Sequence, residues 1–119
     1  MKIDDFDTDQ RVLVIAEIGN NHEGDFNLAK ELIGLAAEAG ANAVKFQSIV
    51  PERLVSPNDL ARIEQLQKFR LEEKDFRALL EEAERLGIIF LSTPFDLDVV
   101  DFLDELVPAF KIASSDNNF

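Results

Sequence analysis

The 119-residue chain is acidic, with 24 Asp and Glu against 12 Lys and Arg and a formal net charge of −12. Nucleic acids and anionic membranes both require a basic footprint, so neither is an expected partner. With no cysteine there can be no disulfide framework, thiolate metal site or thiol nucleophile. No window approaches the roughly 18 uninterrupted apolar residues of a membrane span, and Met1-Lys2-Ile3-Asp4-Asp5 lacks the apolar core of a signal peptide. The expectation is therefore a single cytoplasmic domain over residues 1–119.

Short apolar runs alternate with segments of helical period. Residues 12–18, a near-continuous run of Val, Leu, Ile and Ala, read as a strand buried on both faces. After a polar loop at 20–25, Leu28, Leu32, Leu35, Ala36 and Ala39 recur at helical spacing and Gly40 supplies a stop, which predicts a helix over 27–39. Residues 43–47 form the second expected strand. Residues 48–71 carry a weaker signal, with Pro51 and Pro57 as punctuation and Leu60, Ile63, Leu66 and Phe69 on one face of a short helix; they read as a loop insertion.

Phe76, Leu79, Leu80, Ala83 and Leu86 mark a further helix that stops at Gly87, followed by a third strand at 88–92. Thr93-Pro94-Phe95 breaks it. Asp96 is a good N-cap for a helix burying Val99, Val100, Leu103 and Leu106, and Pro108 ends that helix before a fourth strand at 109–113. The acidic runs at 72–75 and 81–85 read as solvated helix faces.

Strands alternating with helices imply α/β architecture with a parallel sheet, either doubly wound or a barrel. Side-chain alternation favours the barrel. Placing Glu17, Lys45, Thr93 and Lys111 on one face gives them Leu13, Ile15, Ala43, Gln47, Ile89, Leu91, Ala109 and Ala113 as companions, a set in which small residues stand beside each lysine. The other face then receives Val12, Val14, Val44, Phe46, Ile88, Phe90, Phe110 and Ile112, bulky residues suited to packing under helices. Each polar residue lies late in its strand, toward the end where barrel enzymes place their sites. The expected fold is thus the first four strands of a TIM-type barrel, a half-barrel, since a full one takes about 250 residues and eight strands. The two outer strands would expose ladder groups and favour self-association.

Lys45 and Lys111 stand inside apolar runs, where an ammonium needs a partner because its desolvation costs several kcal/mol. A bound anion would compensate both; structural ion pairs with Glu17 or Asp116 are the alternative. Glu17 closes an otherwise apolar strand and suits an acid or base role, or that of a lysine partner. Thr93 and Ser114, taken alone, read as turn or cap residues. A single histidine, His22, cannot make a metal site and reads as a loop residue hydrogen-bonded to its neighbours.

Four ordered motifs carry a family resemblance: Ala16-Glu17-Ile18-Gly19-Asn20-Asn21-His22-Glu23-Gly24; Ala39-Gly40-Ala41-Asn42-Ala43-Val44-Lys45-Phe46-Gln47; Phe90-Leu91-Ser92-Thr93-Pro94-Phe95-Asp96; and Pro108-Ala109-Phe110-Lys111-Ile112-Ala113-Ser114. Together they resemble the sialic acid synthase family, which comprises N-acetylneuraminate synthases and their legionaminate, pseudaminate and spore-coat polysaccharide relatives. The resemblance implies a barrel followed by an antifreeze-like domain, with this chain corresponding to the barrel's N-terminal half. It also implies a transferase that condenses phosphoenolpyruvate with an N-acetylated hexose such as N-acetylmannosamine, in a homo-oligomer. Carried over by motif, Lys45, Thr93, Lys111 and Ser114 would bind phosphoenolpyruvate, and Glu17 and Asp116 would act in proton transfer. A divalent metal, Mn or Mg, would be held by ligands outside residues 1–119, so the isolated chain is expected to be inactive. Ser115 stands where the family commonly has Gly, and a side chain there is expected to disturb the turn that places Asp116.

Overall fold

The structure, a computed structural model, describes residues 1–118. Strands β1 (Lys2–Ile3) and β2 (Phe6–Asp7) form a small antiparallel hairpin. The main body then runs β3 (Ile15–Gly19), α1 (Phe26–Glu38), β4 (Ala43–Ser48), α2 (Pro51–Leu54), α3 (Leu60–Phe69), α4 (Glu73–Leu86) and β5 (Ile89–Pro94). A 3₁₀ turn at Leu97–Val99 leads into α5 (Val100–Asp104). Strands β3, β4 and β5 lie parallel in that order, so the chain is an α/β fold with a parallel sheet.

Local sequence sets the helix ends. Asp25 caps α1, its Oδ1 accepting the N–H groups of Asn27 at 2.8 Å and Leu28 at 3.1 Å. Asp75 accepts the N–H of Glu72 at 2.8 Å, so the acidic run at 72–75 both faces solvent and starts α4. Pro51 opens α2 as its first residue, where its missing N–H is no loss, so it starts a short helix and does not merely punctuate a loop.

The core lies between the sheet and helices α1 and α4. Val44, Phe46, Ile88 and Phe90 meet Ala29, Ile33 and Ala36 of α1 and Phe76, Leu79 and Ala83 of α4. Phe46 and Phe90 stack with ring centroids 5.3 Å apart, and Phe76 meets them edge-on at 6.5 and 6.4 Å. Such pairs add about 0.5–1.5 kcal/mol each beyond area burial. On the same face Ser48 and Ser92 satisfy each other, Oγ to Oγ, at 2.9 Å.

The sheet departs from expectation at its two edges. The first strand begins at Ile15 rather than Val12 and is not buried on both faces: Val12 is 84% exposed and Val14 53%, outside the ladder. The fourth strand, expected at 109–113, is reduced to one parallel bridge, Ser92 to Phe110. Phe110 and Ile112, expected beneath helices, are exposed. The physical reason is shared. Each edge has a neighbour on one side only, so its side chains have fewer surfaces to pack against than those of the central strand β4, five of whose six residues are buried.

Candidate functional site

Alternation and register bring three of the expected residues together. Glu17 lies opposite Lys45 across β3 and β4, Lys45 opposite Leu91, and Gln47 opposite Thr93 across β4 and β5. Side chains at positions of one parity share a face, so Glu17, Lys45, Gln47 and Thr93 lie on the sheet face away from the aromatic core, near the C-terminal ends of the strands.

Lys45 is the central group. It is 6% exposed, and its Nζ donates to Glu17 Oε1 at 2.9 Å. The pair is asymmetric: the lysine side chain is 7% exposed and the glutamate side chain 57%. The ammonium is confined to the sheet face while the carboxylate reaches it from the solvent side. Thr93 is 1% exposed, and its Oγ1 has no hydrogen-bond partner. An unpaired buried hydroxyl costs roughly 1–3 kcal/mol, so Thr93 holds an unused hydrogen-bonding capacity on this face.

The loop after β3 builds the rim. Gly19 adopts φ +56°, and a Cβ there would come within 3.1 Å of Glu17 Oε1 and 3.6 Å of Gln47 Nε2. A left-handed backbone and a crowded flank both favour glycine at this position. Asn20 Nδ2 donates to Gln47 Oε1 at 2.8 Å, tying the loop to β4. The tie was missed in the sequence reading, although the alternation already put Gln47 beside Lys45. The loop closes on the α3 end: a Cβ on Gly24, at φ +84°, would lie 1.9 Å from the Lys68 carbonyl oxygen.

His22 sits inside this loop as a structural histidine. It is 1% exposed, packs on Phe46 at a centroid distance of 5.9 Å, and accepts the Gly24 N–H on Nδ1 at 3.0 Å. Burial pushes its pKa below the usual 6.5; the nearby Gly19 carbonyl acts in the opposite sense but makes no hydrogen bond to Nε2. The expected role of a loop histidine bonded to its neighbours agrees with this geometry.

Lys111, Ser114 and Asp116 are placed differently. Lys111 is exposed and its Nζ donates to the carbonyl of its neighbour Ile112, so only Lys45 is a desolvated ammonium here. Ser114 is exposed. Asp116 is half-buried, accepts the Ser115 hydroxyl at 3.1 Å, and closes a turn through its N–H to the Ala113 carbonyl at 3.0 Å. Ser115 does not adopt positive φ, so its side chain causes no backbone strain. This segment joins the sheet through the Ser92 to Phe110 bridge and the Lys111 N–H to Ser92 carbonyl bond at 3.3 Å.

Among the described residues no group of three His, Asp or Glu side chains converges to hold a metal ion. The divalent metal that the resemblance implies finds no ligand set among these residues. No helix is long and apolar enough to cross a membrane among the described residues. A groove of about 730 Å³ lies at the opposite end of the strands, lined by Asp4, Asn42, Ile88 and Pro108 among others. It shares no residue with the Lys45 cluster.

Comparison with known proteins gives this geometry a context. The N,N'-diacetyllegionaminic acid synthase of Campylobacter jejuni is 42% identical over 90% of this chain and 36% of its own length. The human N-acetylneuraminate-9-phosphate synthase is 36% identical over 88% of this chain and 33% of its own. The crystal structure of N-acetylneuraminic acid (sialic acid) synthetase from Leptospira borgpetersenii, in complex with citrate, superposes with a TM-score of 0.84 at 38% identity, over 87% of this chain and 36% of that one. The chain thus spans about a third of the length of these relatives, which are synthases of sialic and legionaminic acids. Residues 32–119 match the family model described as the NeuB family, and the chain belongs to that family.

Proposed function

We propose that residues 1–119 form the N-terminal half of a (β/α)₈ synthase barrel whose complete enzyme condenses phosphoenolpyruvate with an N-acetylated hexose, such as N-acetylmannosamine, to a nonulosonic acid. The observation that carries the reading is that the buried Lys45 ammonium and a buried, unpartnered Thr93 hydroxyl share one sheet face, on adjacent strands. A fixed cation and an idle donor near the strands' C-terminal ends suit a small polyanion.

In this reading Lys45 and Thr93 hold the anionic groups of phosphoenolpyruvate, joined by Lys111 and Ser114 from the segment after β5. The methylene carbon attacks the sugar aldehyde and forms the new C–C bond. Water adds to the resulting cationic carbon; the C–O bond to phosphate then breaks with its electron pair leaving on phosphate, which takes up the second water proton as the keto group forms. Glu17 and Asp116 carry the other protons, one released by the water as it adds and one taken up by the aldehyde oxygen. The protein would work in the cytoplasm, with a divalent metal bound by residues outside this segment.

Calorimetric titration of the chain with phosphoenolpyruvate tests the reading. A charge-assisted hydrogen bond is worth about 1.5–3 kcal/mol, so Lys45→Met should weaken binding by at least about tenfold. Equal affinity in the variant and the parent would overturn the assignment.

We further propose that the 119-residue chain on its own self-associates as a half-barrel, because Val12, Val14 and Ile15 flanking one side of the sheet and Phe110 and Ile112 on the other are exposed. Sedimentation velocity should show a species larger than one chain; a monomer at micromolar concentration would end this reading.

A further inference from the structure

The Lys45–Glu17 pair has an asymmetry that a purely structural ion pair does not need. The ammonium is confined in the sheet, whereas the carboxylate sits on the edge strand β3 with more than half of its side chain in water. Glu17 can leave Lys45 and regain full hydration by side-chain rotation alone. Lys45 has no such exit, and without a counter-anion it would be an uncompensated buried charge. Gly19 leaves the flank of Glu17 free of any side chain, and the adjacent Gln47 is held by Asn20 rather than by Glu17. Thr93 Oγ1, buried and unpartnered on the same face, stays unused while the pair is closed.

Resting on the proposal that this face binds the anionic groups of phosphoenolpyruvate, we infer that Glu17 is a displaceable internal anion. It neutralises Lys45 in the free chain, and an incoming phosphate or carboxylate group exchanges with it. Exchange moves one anion out as another enters, so Lys45 is never left unpaired. The released carboxylate stays tethered one strand away, beside the bound ligand, available to accept a proton. Glu17 thus sets the threshold for occupancy: only an anion that outcompetes an intramolecular carboxylate displaces it. A dianionic phosphate that also engages Thr93 meets this condition better than a single carboxylate does.

The test is calorimetric titration of the 119-residue chain with inorganic phosphate and with phosphoenolpyruvate, using wild type, Glu17→Gln, Glu17→Asp and Lys45→Met, each checked for native circular dichroism. Removing an intramolecular competitor of partly exposed ion-pair strength should tighten binding about three- to tenfold in Glu17→Gln. Glu17→Asp keeps the charge but shortens the arm, so exchange requires it to bind more tightly than wild type too. Simple charge repulsion would leave Glu17→Asp equal to wild type and would overturn the inference. Equal or weaker binding by Glu17→Gln would overturn it as well, while loss of binding in Lys45→Met would still support the anion site. If no form binds either anion, the anion-site reading itself fails and the inference with it.

Discussion

Lys45 and Lys111 stand in nearly the same local sequence, Ala-Val-Lys-Phe and Ala-Phe-Lys-Ile, yet occupy opposite environments. Lys45 is buried and paired on the central strand, and Lys111 is exposed beyond the sheet edge. A strand's own sequence says which side chains share a face. Whether that face is dry depends on having a neighbour on each side. β4 has β3 and β5, and residues 109–113 have a single bridge to Ser92.

Phenylalanine truncation sharpens this contrast most strongly. Phe90→Ala removes a ring that is 2% exposed and stacked on Phe46, and should cost about 3–5 kcal/mol in urea unfolding. Phe110→Ala removes a ring that is 37% exposed, and should stay within about 1 kcal/mol. Similar losses at the two positions would show that the edge is as well packed as the centre.

A smaller effect concerns pH. His22 has a folded pKa held below 6.5 by burial, so the unfolded chain binds the additional proton between the two values. Its contribution to stability is present above about pH 6.5 and is lost as pH falls toward the folded value. His22→Asn, which keeps an acceptor for the Gly24 N–H, should flatten the fall in urea midpoint between pH 7.5 and 5.5 relative to wild type. An unchanged slope would show that burial of His22 does not drive the acid sensitivity.

Much of the site was legible before folding was considered. The shared parity of Glu17, Lys45 and Thr93 follows from the two-residue period of a strand, and the register places all three on one face as expected. The pairing of Lys45 with Glu17 was one of two open alternatives, because intrastrand spacing says nothing about which residue of the adjacent strand lies opposite. The idle Thr93 hydroxyl and the Asn20 to Gln47 tie were not legible, since each depends on distances between elements far apart in the chain. The hairpin of β1 and β2 also escaped notice: two-residue strands carry too few positions to show any period.

Hydrophobic period and helix-stop residues determined α1, α4 and β4 from the sequence alone, because these signals act over a few residues and the buried core rewards them; β5 was legible except at its end, where pairing with β4 carries the strand through Thr93 to Pro94 in place of the expected break. Tertiary structure decided the rest. It left the β3 flank at Val12 and Val14 and the whole of 109–113 at the margin, where one-sided contact cannot bury them. It also decided which lysine is desolvated, a property set by the strands on either side rather than by the residues before and after it.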